Sequence, residues 1–397
     1  MMWIICACRC LSRYDANGPG GSGRRRNPLV RRELKFLLAL QCRHTPVTKP
    51  TFTEGQTPQS YQNVGESRRA ARARAPAARM ERRLLRPRPV ISSGLSLSDR
   101  ALGAYLGFAV GDALGATVEF MTPGEIVARY RVHQEIVGGG WLRLKPGQIT
   151  DDTQMSLALG GALLARGGWD LRAVAEAFAV WMRSRPVDIG HTCRRGIRRF
   201  LLEGTLSAAP ATDSAGNGAA MRNLPVALAT LGDPAALAEY SLAQAHLTHH
   251  HPLSDAATLA LGRMTQALLR GGGIGDGRRI ADALAARHPE FCFAPWPGRT
   301  TGYIVDTVQT VFDAFFRTAS FEACLVEVVN RGGDADTTGA LAGQLAGARY
   351  GLQGIPARWL RRLDATVNVA IRIQTAGLLA LAARRNPCSA PPVLLST

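Results

Sequence analysis

Apolar residues recur along residues 98–383 at the three- and four-residue spacing of helices, and strand-like alternation is nearly absent. Ala and Leu dominate these runs, and both favour helix. Ser98-Asp99 precedes an apolar run from Ala101 to Leu114, in which Gly103, Gly107 and Gly111 fall four residues apart and allow close approach of another helix. Asp233-Pro234 reads as an N-cap followed by proline in the first turn, opening a run to His246. Pro252-Leu253-Ser254 opens another run, which ends at Gly271-Gly272-Gly273. Ile304, Val308, Val311, Phe312 and Phe315 share one helical face. A further helix over residues 336–350 is stopped by Gly351, and Ile355-Pro356 begins a last pair reaching Ala383. Only Gln134 to Val137 tempts a strand assignment. The pattern predicts one compact all-α domain over residues 98–385. No repeat of solenoid length is present.

Charge changes the picture at the N-terminus. The chain carries a formal +18, but residues 1–98 hold 19 Lys/Arg against 5 Asp/Glu, leaving 29 against 25 for the rest. The body is therefore nearly neutral and is not a nucleic-acid binder on charge grounds. Residues 1–97 read as a disordered basic leader: Gly18-Pro19-Gly20-Gly21, Arg24-Arg25-Arg26 and the Arg/Ala/Pro stretch from Arg68 to Pro89 offer little to bury. An Arg-rich, acid-poor leader suits an organelle transit peptide or a nucleic-acid arm. The preferred reading is a translated upstream stretch with Met80 as the true start. Residues 386–397 read as a C-terminal tail. Met1 to Cys10 lacks the basic region of a secretory signal, and no apolar run is long enough for a membrane span. Cys6, Cys8 and Cys10 lie close together without partners at zinc spacing, and Cys193, Cys292, Cys324 and Cys388 are scattered. Reduced thiols and a cytoplasmic location are expected.

Candidate chemistry centres on two acidic clusters built alike, Thr150-Asp151-Asp152-Thr153 and Asp334-Ala335-Asp336-Thr337-Thr338. Each packs two carboxylates with hydroxyls beside glycines and opens an Ala/Leu-rich helix. Asp and Thr are good N-caps, so capping is the plain alternative. A cap needs one oxygen, however, and each cluster offers at least three. Carboxylates this dense repel unless a cation sits between them, and hard oxygen donors suit Mg²⁺, Mn²⁺ or Ca²⁺. The clusters are expected to meet in space around one or two such ions.

Five further features carry candidate chemistry. Glu119 ends a run of small and apolar residues, where it could cap, pair with a base or bind a cation. Asp188 lies in a loop between two helices, either as a turn residue or as a free carboxylate that handles protons. Gly216-Asn217-Gly218-Ala219-Ala220-Met221-Arg222 is a glycine loop that could cradle a phosphate. In Thr248-His249-His250-His251-Pro252, His249 or His251 could bond a ligand or cap a helix, and Tyr303 could stack on a base or cover the core. Together these suit a nucleotide-sugar substrate. Cleavage at its anomeric carbon needs a stabilised cationic centre and a proton for the leaving group.

The motifs Gly111-Asp112-Ala113-Leu114-Gly115, Ile149-Thr150-Asp151-Asp152-Thr153-Gln154-Met155, Gly216 to Arg222, His251 to Ala257 and Gly332-Gly333-Asp334-Ala335-Asp336-Thr337-Thr338-Gly339 occur in an order that resembles the ADP-ribosylglycohydrolases, over about residues 99–383. Asp188 to Arg199 and Gly302 to Thr307 are similar to bacterial members that act on the nitrogenase iron protein. The resemblance implies an all-α bundle with two Mn²⁺ or Mg²⁺ ions held by Thr150, Asp151, Asp152, Asp334, Asp336 and Thr337, with Glu119 nearby. It implies that Asp188 assists cleavage of the bond between ADP-ribose and an arginine side chain. Gly190, His191, Thr192, Cys193, Asn217, Gly218, Ala219, Met221, Arg222, His249 and Tyr303 would line the ADP-ribose pocket. A monomer acting on an ADP-ribosylated protein, with a PII-type regulatory partner, is implied as well. Alternatives are the same catalyst on ADP-ribosylserine or an ADP-ribose ester, or a non-catalytic binding protein. His191 departs from the small polar or acidic residue that relatives carry there, and the basic leader is foreign to the family.

Overall fold

The computed structural model describes residues 94–385, which form fourteen α-helices and three short 3-10 turns with no strand. The expectations for residues 1–93 and for the tail after Arg385 lie outside the described residues. The helices are α1 Leu97–Gly115, α2 Pro123–Tyr130, α3 Asp151–Arg166, α4 Leu171–Arg183, α5 His191–Glu203, α6 Leu224–Ala229 and α7 Pro234–His246. They continue with α8 Pro252–Leu269, α9 Ile274–Arg287, α10 Ile304–Arg317, α11 Phe321–Val329, α12 Ala335–Tyr350, α13 Ala357–Arg362 and α14 Ala365–Arg385.

Local chemistry accounts for several helix starts. Ser96 caps α1 by accepting from Asp99 N, Asp170 caps α4, Asp233 caps α7 ahead of Pro234, and Ser320 caps α11. Thr122 and Glu125 close a reciprocal capping box on α2.

The axis of the domain is the pair α1 and α12, buried along almost their whole lengths. Gly103, Gly107, Gly111 and Gly115 of α1 face Gly347, Gly343, Gly339 and Ala335 of α12, so the helices run antiparallel. A Cβ on any of those seven glycines would come well within 3.0 Å of the opposing backbone. The absent side chains let the two backbones touch, and the C-terminal end of α1 is carried against the N-terminal end of α12. That contact brings Asp112 and Glu119 alongside Asp334 and Asp336.

Gln134 to Val137 is irregular backbone, not a strand. Side chains take the backbone at its start: Asn330 bonds both N and O of the preceding His133 at 2.8 Å, and Trp359 Nε1 donates to Gln134 O at 3.0 Å. With those groups taken, no neighbouring strand is needed to satisfy them. α14 is the one helix among the described residues with the length and mean hydropathy (1.4) of a membrane span. It lays one face on α1, α3 and α6, burying Ile371, Gln374, Thr375, Leu378, Leu381 and Ala382, with Gln374 accepting from Tyr105 Oη at 2.8 Å.

Candidate active site

The acidic clusters meet. Thr337 Oγ1 donates to Asp152 Oδ2 at 3.3 Å across 185 residues of sequence, and Thr150 Oγ1 reaches the same oxygen at 3.2 Å. Thr150 and Asp334 stand at the N-cap positions of α3 and α12, yet neither side chain makes a capping hydrogen bond. Capping therefore does not explain the clusters.

Glu119 joins them from the turn after α1. One carboxylate oxygen each from Glu119, Asp334 and Asp336 lies within 4.8 Å of the other two. Phe120 N bonds Gly333 O at 2.7 Å, and Gly333 N bonds Met121 O at 2.9 Å, locking this turn to the acidic loop. Gly332 and Gly333 both hold positive φ, at 68° and 63°, which glycine adopts without strain.

Asp188 lies half-buried in the loop between α4 and α5 and accepts from its neighbour Ile189 N at 2.7 Å. The same loop returns Gly190 N to Asp151 Oδ2 at 3.3 Å, which ties it to the first cluster.

Two residues that the sequence reading left out of the site belong to its surroundings. Asp112, fully buried in α1, accepts from the backbone and hydroxyls of both Thr150 and Thr153, at 2.5–3.2 Å, and orients the first cluster. A carboxylate inside a Gly/Ala/Leu helix was the signal, because it must be paid for by hydrogen bonds. Trp141 Nε1 donates to Glu119 Oε2 at 2.7 Å, and its ring packs on Phe120 with centroids 5.3 Å apart. No sequence pattern announced that contact.

Burial sets the electrostatics. It pushes the Asp112 carboxyl up to about 6, Asp151 to about 7 and Glu119 to about 8. The neighbouring carboxylates reinforce the rise for Asp151 and Glu119. Asp152 and Asp336 are driven well above the usual carboxylate range, by burial first and by mutual repulsion second, and Asp334 and Asp188 are raised too. No Lys, Arg or His forms an ion pair with any of these seven carboxylates among the described residues. Asp152 Oδ1 and Asp336 Oδ1 are buried without a hydrogen-bond partner. Buried, unpaired hard oxygens from several elements fit a divalent-cation centre.

This has a measurable consequence. These carboxyls hold protons more tightly folded than unfolded. Their contribution to the stability of the metal-free fold is thus fully present only below about pH 4. The fold loses that contribution as pH rises through about 6 to about 8. A bound cation removes the cost. The rise in Tm on adding Mn²⁺ to chelated protein is expected to grow from about pH 5 to about pH 8. A rise independent of pH in thermal melts would count against the centre.

The other predicted residues surround this centre to different degrees. Gly190 and His191 are exposed, Thr192 is half-buried, and Tyr303 is 40% exposed. Asn217 Nδ2 donates to Asp334 Oδ2 and to Thr307 Oγ1, the latter at 3.0 Å, so the glycine loop is fastened to the second cluster. Asn217 N bonds Gly302 O at 3.0 Å, next to Tyr303. Gly218 packs against His249 and Cys193 so closely that a Cβ would collide with both.

Cys193, Ala219, Met221, Arg222 and His249 are buried behind the loop. The Arg222 guanidinium donates to Gln244 Oε1 and O and to Thr248 Oγ1, and it lies 4.7 Å from the Phe178 ring centre. Its charge is engaged inside the protein, beneath the loop. Burial, with the Arg222 charge, lowers His249 to about 3, so its imidazole is neutral. His251 caps α8 by accepting from Leu253 N at 3.1 Å. A cavity of about 120 Å³ beside Trp169, Tyr240 and Leu381 is separate and holds none of these residues.

The described residues form an all-helical domain whose buried acidic centre suits hard divalent cations, with a half-buried carboxylate in the loop beside it. The ADP-ribosylglycohydrolase profile matches residues 93–388. The ADP-ribosyl-[dinitrogen reductase] glycohydrolase of Rhodospirillum rubrum is 60% identical over 290 residues, covering 73% of this chain and 99% of the relative. The ADP-ribosylarginine hydrolase Tri1 of Serratia proteamaculans is 31% identical, over 67% of this chain and 75% of its own length. A solved ADP-ribosylglycohydrolase-related protein complex superposes with a TM-score of 0.64 at 35% identity, covering 72% of this chain and 99% of that one. The chain belongs to the ADP-ribosylglycohydrolase family.

Proposed function

We propose that the protein hydrolyses the N-glycosidic bond between ADP-ribose and an arginine side chain of a target protein, with dinitrogenase reductase, the nitrogenase iron protein, as that target. One observation carries the reading: Asp151-Asp152, Asp334-Asp336 and Glu119 converge from separate elements, and the loop that holds Asp188 is tied to Asp151 through Gly190 N. Identity of 60% over nearly the whole Rhodospirillum rubrum enzyme supports the arginine linkage and the target.

Thr150, Asp151, Asp152, Asp334, Asp336 and Thr337, with Glu119, would hold two divalent cations, Mn²⁺ or Mg²⁺. Bound there, they would supply a grip on ribose hydroxyls and an activated water. The chain's own residues do the rest. Asp188, raised by burial, exchanges a proton at the edge of the site, where the guanidine leaving group needs one. Gly190 N holds Asp151 in place, and Trp141 holds Glu119. Gly190, His191, Thr192, Gly218 and Tyr303 line the approach for ADP-ribose. Cys193, Ala219, Met221, Arg222 and His249 set the floor that keeps the glycine loop rigid. A monomer, a cytoplasmic location and a PII-type regulatory partner belong to the same proposal.

The test compares ADP-ribose release from arginine-linked and serine-linked model proteins, with Mn²⁺ and after chelation. Release from the arginine-linked protein alone, and only with metal, is expected. Preference for the serine linkage or an ester would move the substrate class. Binding without release would leave a non-catalytic member of the fold.

A further inference from the structure

From Arg183 to Leu202 the chain holds six arginines and a single acidic residue, Asp188. Two of the six are tied to the protein. Arg195 pairs with both oxygens of Asp213, at 2.6 and 3.1 Å, and Arg199 donates to Leu247 O at 2.8 Å. The other four are not. Arg183, Arg185, Arg194 and Arg198 are exposed, and none has a hydrogen-bond or ion-pair partner among the described side chains.

Arg194 and Arg198 stand one turn apart on α5, where like charges repel. Arg183 closes α4, and Arg185 follows in the loop to Asp188. Exposed apolar side chains lie among them, with Val187 at 45% and Leu202 at 80% exposure. The Arg194 charge reaches Asp188, so this basic rim borders the carboxylate of the site. Four cations without an ion-pair partner on one 16-residue segment add little to the stability of the fold.

We infer that this rim is a docking surface for an acidic protein surface surrounding the modified arginine of the target. The inference rests on the arginine linkage proposed above. The four guanidinium groups face solvent and are not sunk in a cleft, which suits a flat macromolecular partner. Opposite charge at such a rim speeds encounter and sets the choice of partner. Phe200 is the only aromatic residue in the segment and is half-buried, so the stacking platforms of a nucleic-acid surface are missing there.

The test uses three substrates: a peptide ADP-ribosylated at one arginine flanked by Asp/Glu, the same peptide with Lys flanks, and free ADP-ribosylarginine. The variant is Arg185→Glu/Arg198→Glu, with Arg194 kept because its charge acts on Asp188. Wild type is expected to favour the acidic peptide in kcat/KM by about tenfold at low ionic strength, with the preference shrinking as salt is added. The variant should lose or invert that preference while turnover of free ADP-ribosylarginine stays within roughly twofold. An unchanged preference overturns the inference. A parallel loss on free ADP-ribosylarginine also overturns it, by assigning these arginines to the diphosphate. If wild type releases ADP-ribose from none of the three, the catalytic reading fails, and the docking surface with it.

Discussion

Asp151→Asn and Asp334→Asn are each expected to lower metal-dependent ADP-ribose release by about a thousandfold, the equivalent of roughly 4 kcal/mol of transition-state stabilisation. Far-ultraviolet circular dichroism should remain that of wild type. The two residues sit on different elements and are joined only through the centre, so loss in both would tie the clusters to one function. Each amide keeps an oxygen for its existing donor, Gly190 N or Asn217 Nδ2, and local geometry is preserved. Stability should move the other way. In chelated protein at about pH 8, removing one charge from a crowded, buried set relieves repulsion, so Tm should equal or exceed wild type. Activity above about a tenth of wild type in either variant would show that the cation centre does not drive the reaction.

Gly111→Ala and Gly343→Ala are expected to destabilise the domain by about 3 kcal/mol or more, measured by chemical denaturation. Overpacking a core with one methyl group usually costs 1–3 kcal/mol, because side chains can give way. Here the added Cβ meets the backbone of the facing helix, Gly339 in one case and Gly107 in the other. Backbone cannot rotate aside, so the helices themselves must separate. Gly161→Ala is the contrast. Its nearest outside neighbour is Gln374 Nε2 at 3.8 Å, so the new methyl fits. Its higher helix propensity should stabilise α3 by roughly 0.5–1 kcal/mol. Equal effects at positions 111 and 161 would mean that the α1–α12 contact is looser than described. Gly111→Ala should also weaken Mn²⁺ binding, since Asp112 follows it and orients Thr150 and Thr153.

Much of this was legible in the chain. Helix periods, the cap at Asp233 and the glycine stops are local signals, because each depends on neighbours three or four residues away. The paired acidic clusters stood out because charge density in so few residues exceeds what capping needs. The loop position of Asp188 followed from Pro and Gly beside it. Other features were not legible. Arg222 reads as an exposed phosphate ligand beside a glycine loop but lies under it, because Gln244 and Thr248 of distant segments supply its acceptors. Gln134 to Val137 has strand-like residues, yet Asn330 takes the adjoining backbone groups. Trp141 gave no sign of bonding Glu119, since that bond depends on how a glycine-rich loop folds back.

The sequence by itself determined the helical class, the stretches that become helices and the presence of a surplus of hard oxygen donors, because those follow from residue type and short-range spacing. Only the tertiary structure decided that Thr337 and Asp152, 185 residues apart, would touch, and that Glu119 and Asp112 would complete the site. The physical reason is the contact of α1 with α12: seven glycines let two backbones meet, and that closeness carries both helix ends to one point. Spacing along a chain can suggest such a stripe, but the partner and register of the contact are settled only when the whole core packs.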